Sequence, residues 1–447
     1  MTTDNDPNQK LNNFLFDWSH KQGRILTANG NALKYYAKER GFPFKENELP
    51  HYHLMLGDTF HTFRSWCQQL QLQQGKYQES KRLTGQQLSI VGVWKRTLFL
   101  GEWEYTTDKD EDTFNIQTKS LFIDIRIPKV AKSILQQQIP RRKQYVFNKG
   151  NTNMNFDYRF YYIVDSPDIN NSTIFHSWTT RQLQLYARRH AFAGYTLQEL
   201  HPPNNNNNNT LSNHPRMICT RFHCIDWNFI GIPRSRPNKW YVQIHTTDHH
   251  HKIWRELSFA TNEDGQHYYM EQWERYDGDG DGQDVVIALR RKWIQDHPVM
   301  SRDAILLILG DHFAMIQGRR GMLPYPLQQY NNNNNNLYSK ATLVDLIDVA
   351  LENGNRDIVK YFLSMDAAHG RISQGWMIDC CIQYWKEGMH LLDPTQIKVK
   401  GTSMDTCQVF IHDTEWDVYE SSIHDIPSLK SFFENTIDIH TTKNSKL

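Results

Sequence analysis

The segment Leu121 to Pro128 (LFIDIRIP) constrains this chain more than any other. Side chains alternate along a strand with period two, so Leu121, Ile123, Ile125 and Ile127 share one face while Phe122, Asp124 and Arg126 share the other. A strand that is dry on one face and carries opposite charges on the other belongs to a closed or sandwiched antiparallel sheet. Three tryptophan-bearing runs of the same texture accompany it: Val91 to Leu100 (VGVWKRTLFL), Trp254 to Phe259 (WRELSF) and Tyr268 to Tyr276 (YYMEQWERY).

Around these runs the chain divides by texture. Residues 1–84 read as a helical extension, with Phe60, Phe63, Cys67 and Leu70 on one helical stripe and Pro43 and Pro50 breaking it into short pieces. From about 85 to 437 short β-rich runs alternate with polar turns, the spacing of sandwiches and barrels. Helical stripes occur there only near Lys129 to Gln137, Thr179 to Ala191 and Leu343 to Leu363. Two asparagine runs, Asn204 to Asn209 and Asn331 to Asn336, cannot bury apolar area to offset their ordering entropy, so they are expected to be loop insertions. Residues 438–447 are expected to be a disordered tail.

Bulk properties exclude several classes. Fifty basic residues against 49 acidic ones give a formal charge of +1, so there is no electrostatic case for nucleic acid as a partner. Six irregularly spaced cysteines and an amino terminus without a basic, then apolar, leader predict a cytoplasmic chain, with the nucleus open to it, and reduced thiols. The longest apolar runs, such as Ala304 to Leu309, fall far short of the ~20 residues of a bilayer span, so no membrane span is expected.

Segments that look chemical mostly reduce to structure. Asp277 to Gly282 (DGDGDG) reproduces the first half of a calcium loop, but the closing position holds Ala288 where a bidentate glutamate is needed, so it reads as an acidic turn between strands. His245 and the consecutive His249, His250 and His251 lack a rigid converging frame and read as a solvated turn. Cys219 and Cys224, five apart on one strand, fall on opposite faces and read as packing. No nucleophile elbow, phosphate loop or HExxH helix occurs. What remains is polar residues embedded in apolar strands, among them Asp226, Glu256, Glu274 and Arg275. From this set Arg96, Asp124, Arg126, His223, Arg255 and Glu271 are the candidates for a ligand-binding barrel lining, with Arg96 the expected partner of Asp124. A buried structural ion-pair network is the competing account of the same residues.

The succession Phe122 to Pro128, Ala191 to Gly194 (AFAG), Trp254 to Leu257 (WREL) and Tyr269 to Trp273 (YMEQW) resembles a small lipocalin-like family. That family includes a yeast protein named for interacting with a casein-kinase-1-type kinase and similar uncharacterised bacterial proteins. Trp94 with Arg96, the run Ala304 to Arg319 and the closing Thr414 to Glu420 extend the likeness over about 88 to 420. The resemblance implies two lipocalin-like β-barrels and supplies no catalytic residues. The helical extension, the asparagine runs and the segment Asn148 to Ser177 depart from it.

The expectation is therefore a mainly β protein with two antiparallel barrels, at 85–262 and 263–437. A barrel of about eight strands is either filled by side chains or holds one small ligand. The function expected is a non-catalytic binding or scaffold protein, with a small apolar ligand or a signalling protein such as a kinase as partner and no cofactor or metal. The alternative is an isomerase or hydrolyase using Arg, Glu or His in a barrel lumen.

Overall fold

The computed structural model describes residues 90–101, 104–107, 111–138, 175, 177–201, 216–228, 238–246, 252–258, 269–276, 285–291, 304–319, 343–352, 354–412 and 414–444. The expected helical extension, both asparagine runs, Asp277 to Gly282 and His249 to His251 lie outside the described residues.

The first sheet comprises β1 (Gly92–Gly101), β2 (Glu104–Thr107), β3 (Glu111–Gln117), β4 (Leu121–Pro128), β5 (His190–His201), β6 (Arg216–Asp226), β7 (Asn238–Thr246), β8 (Lys252–Leu257) and β9 (Tyr269–Arg275). Neighbours pair antiparallel, and β9 pairs with both β8 and β1, so eight strands close into a barrel. β2 pairs with the far half of β1, on the edge whose near half takes β3. Because β9 supplies the closing seam, the first barrel extends to Arg275 and not to residue 262.

The second sheet is also antiparallel and eight-stranded. It contains β10 (Val286–Arg291), β11 (Ala304–Leu309), β12 (His312–Gln317), β13 (Asp366–Arg371), β14 (Met377–Cys381), β15 (Ile397–Lys400), β16 (Gln408–Ile411) and β17 (Thr414–Ser421), in the order β14-β13-β12-β11-β10-β17-β16-β15. Among the described residues its edge strands β14 and β15 do not pair, so strand pairing does not close it as it closes the first. Every residue of β11 and β12 is buried. Ile305 and Leu307 join a core shared with the first barrel, whereas Leu306 and Ile308 join a separate core with Trp376, Trp416 and, from the closing helix, Leu429 and Phe433. A strand covered on both faces reads as a continuous apolar run, which is why AILLIL shows no alternation.

The shared core explains β4. Ile123, Ile125 and Ile127 point out of the first barrel into this core, together with Ala193 of β5, Ile316 of β12 and Ile347 of a helix. Four helices pack there: α1 (Lys129–Gln138), α2 (Thr180–Ala187), α3 (Leu343–Glu352) and α4 (Arg356–Phe362). α2 opens with a capping box in which Thr179 and Gln182 exchange side-chain to backbone bonds. It stops at Ala187, short of the expected Ala191, because the chain enters β5 at His190; the buried Arg189 donates to the carbonyls of Tyr186 and Ile382 at that corner. The Leu343 to Leu363 stripe splits at Gly354, whose φ of +70° and N–H to the Leu351 carbonyl end α3. α5 (Ile426–Asn444) runs through 438–444, residues expected to form a tail.

Further polar ties join the sheets across this core. Glu420 of β17 accepts from Thr118 Oγ1 at 2.9 Å and from the N–H groups of Lys119 and Ser120 at 3.1 Å each. Arg319, just past β12, donates to the carbonyls of Phe362 (2.9 Å), Asp226 (3.0 Å) and Trp227 (2.5 Å).

Candidate functional site

With the isoleucines outside, the other face of β4 lines the barrel lumen, and Asp124 and Arg126 lie there. Arg126 donates to Asp124 (2.8 and 3.1 Å) and to Glu271 (2.7 and 3.1 Å). β1 and β3 separate β4 from β9 in the sheet, so the contact to Glu271 crosses the lumen. Arg96 of β1 bonds Glu271 at 2.7 Å and Glu111 of β3 at 2.6 Å. The expected Arg96 to Asp124 pair is replaced: Arg96 sits beside β9, opposite Trp273, so Glu271 is within its reach and Asp124 takes Arg126. Asn115 Nδ2 adds a bond to Asp124 at 3.3 Å. Asp124 and Glu271 are fully buried, and a buried carboxylate needs such partners.

The remaining candidates divide. His223 lies in the lumen, with Nδ1 2.6 Å from Asp226 Oδ2 and its ring stacked on Phe192 at a centroid distance of 4.3 Å. Arg255 does not join them. The alternation that turns Trp254 and Glu256 inward turns Arg255 outward, where it donates to Gln272 Oε1 at 2.8 Å. Cys219 faces the lumen and Cys224 faces the shared core, on opposite faces of β6 as the spacing requires.

The lumen also holds polar residues outside the candidate set, among them Glu111, Arg221 and Glu256. Period two could have found the last two, since Arg221 stands two residues before His223 and Glu256 two after Trp254. Arg221 lies over the rings of Phe122 (4.4 Å) and Trp254 (5.1 Å), and its Nη2 donates to Gln117 Oε1 at 3.1 Å. The Nη1 atom stands 3.7 Å from Glu256 and 3.9 Å from Asp124, too far for a hydrogen bond. Among the described residues, Nε and Nη1 of Arg221 have no hydrogen-bond partner, nor do the indole N–H groups of Trp254 and Trp273. Trp94 differs, its N–H reaching the Ile90 carbonyl at 2.8 Å.

Glu256 is fully buried, and neither carboxyl oxygen makes a hydrogen bond of normal geometry. Burial, opposed by Arg221 and reinforced by the negative charge of Glu271, pushes its pKa from 4.5 up to about 8. The Trp240 indole faces this carboxyl and favours its ionised form, but falls short of a regular hydrogen bond.

Outside the lumen, the interface holds a histidine pair, His312 Nδ1 being 3.1 Å from His369 Nε2 with Phe114 stacked on His369 at 4.7 Å. Burial first, then His312 and Arg371, pushes His369 down to about 3, so the ring stays neutral. Burial pushes the thiols of Cys380 and Cys381 up, so neither supplies a thiolate nucleophile at neutral pH.

These features define a mainly β protein in which a closed antiparallel barrel with a charged interior packs against a second antiparallel sheet. Among the described residues no helix is long and apolar enough to cross a membrane. No protein-family profile and no curated protein sequence matches the chain. Among solved structures it is similar to the uncharacterised protein YLR301w of Saccharomyces cerevisiae, at 8% identity and a TM-score of 0.33, over 74% of this chain and 98% of that one.

Proposed function

We propose that the protein is a non-catalytic binding protein that holds one small polar ligand in the lumen of its first barrel. The observation that carries this reading is the set of buried polar atoms in the lumen that lack a hydrogen-bond partner among the described residues: Nε and Nη1 of Arg221, both Glu256 oxygens and the indole N–H groups of Trp254 and Trp273. Buried polar groups are ordinarily satisfied, and each one left unmet costs about 1–3 kcal/mol. A ligand that meets them removes that cost on binding. An apolar ligand would leave it in place, so this lining favours polar chemistry over the small apolar ligand expected from the sequence.

The lipocalin-like, two-barrel reading draws support from the closed first sheet and from the separate core of the second. A kinase or other signalling partner and a cytoplasmic setting belong to the same proposal, without assigned residues. The enzyme alternative rests on Glu256, a carboxyl that keeps its proton near neutral pH beside an arginine, as a general acid would.

Native mass spectrometry of the full chain tests the binding reading. The expected result is a small adduct released on unfolding and diminished in an Arg221→Gln variant. Bare chain, together with no thermal stabilisation by any member of a small polar compound library, would overturn it.

A further inference from the structure

The three lumen arginines differ in what they hold. Arg96 and Arg126 each bond two carboxylates at 2.6 to 2.8 Å at their closest. Arg221 has no carboxylate within hydrogen-bonding distance among the described residues, although it is fully buried. Its guanidinium is fixed in position by the Phe122 and Trp254 faces and by Gln117. A stacked guanidinium of this kind presents its N–H groups edgewise, and Nε and Nη1 remain open.

The neighbouring open atoms have the same sense. Trp254 stacks on Trp273 at 5.6 Å, and both indole N–H groups lack an acceptor. Glu256, which keeps its proton up to about pH 8 because of burial, contributes an O–H donor in place of a second negative charge at neutral pH. The site therefore has donors in excess of acceptors. Its ionic balance points the same way: in the lumen core Arg96, Arg126 and Arg221 face Glu111, Asp124 and Glu271, yet those three carboxylates are engaged by the first two arginines.

Resting on the reading of this lumen as a ligand site, we propose that its ligand is a small monocarboxylate whose oxygens accept from Arg221 and from the indole N–H of the adjacent Trp254. Size follows from the enclosure. An eight-strand barrel has room for one small ligand at most, and this one already buries Trp94, Trp240, Trp254 and Trp273.

The test is calorimetric titration of the full chain at pH 7 with acetate and benzoate, and with their neutral counterparts acetamide and benzamide. At least one acid should bind about tenfold or more tightly than its amide. Arg221→Gln should lower that affinity by at least about tenfold. Trp254→Phe keeps the ring and drops the N–H, and should weaken the acid severalfold with the circular dichroism unchanged; it carries the test if Arg221→Gln does not fold. Amides that bind as tightly as the acids would overturn the carboxylate assignment and leave the binding lumen standing. Acid binding that neither variant weakens would place the anion elsewhere and overturn the assignment. Failure of all four probes, with no adduct in native mass spectrometry, would overturn both readings.

Discussion

Arg126→Met is the most discriminating perturbation of the barrel interior. The Arg126 side chain is 11% exposed and lies between Asp124 and Glu271, both fully buried. Methionine keeps most of the apolar stem and deletes the charge. Glu271 would retain Arg96 at 2.7 Å, whereas Asp124 would keep only Asn115 at 3.3 Å and the misaligned Arg221 at 3.9 Å. Stranding a buried carboxylate typically costs about 3–5 kcal/mol, against about 0–1 kcal/mol for losing an exposed pair. The expected loss lies in the upper range because Asp124 loses two of its charge-assisted bonds at once. Asp124→Asn added to Arg126→Met removes the stranded charge and should recover more than about 1 kcal/mol, a non-additivity that exposed residues would not show. Urea unfolding followed by circular dichroism measures both variants. A loss below about 1 kcal/mol for Arg126→Met, with additive behaviour in the double variant, would place this face in solvent and refute the polar lumen.

Three further perturbations address other levels of the structure. For Glu256 the native pKa of about 8 exceeds the ordinary 4.5, so between these values the native state holds a proton that the unfolded chain has released. This group's contribution to stability therefore falls as pH rises through that window, by up to about 1.4 kcal/mol per pH unit, and levels off above 8. Glu256→Gln should remove that slope, so its stability relative to the parent should grow from pH 5 to pH 9 in urea titrations; parallel profiles would contradict the assignment. Gly370→Ala would set a Cβ 1.9 Å from the Met377 carbonyl oxygen and 2.6 Å from the Phe313 ring, and should cost about 3 kcal/mol, read as a fall in Tm; an unchanged Tm would remove the close β13 to β14 approach. Arg319→Met leaves three carbonyls without their donor, and should cost about 3 kcal/mol while the two sheets still unfold in one calorimetric transition. Two separated transitions would show that the shared core does not couple them.

Much of the barrel was legible because a strand's alternation is a local property. Leu121 to Pro128 by itself separates Asp124 and Arg126 from the isoleucines, and the odd spacing of Cys219 and Cys224 puts them on opposite faces, both as observed. The burial of Trp94, Trp254 and Trp273 was also readable, since such large apolar groups in β-rich runs have few other places to go. Arg255 shows the limit of a list compiled by charge: it lies beside Glu256 in sequence, and one step along a strand separates lumen from exterior.

What alternation does not specify is which face is inside. In an isolated sheet the isoleucine face would form the interior and the charges would meet water. Here the second sheet and four helices cover the isoleucines from outside, which turns the charged face into an enclosed lumen. The reach of Arg126 to Glu271 likewise joins residues 145 positions apart, the closure of β1 on β9 joins residues farther apart still, and only the completed barrel brings them together. Sequence determined the two faces of each strand, because side-chain direction is set within a few residues. Tertiary structure decided which face became the site, because burial depends on what another part of the chain covers.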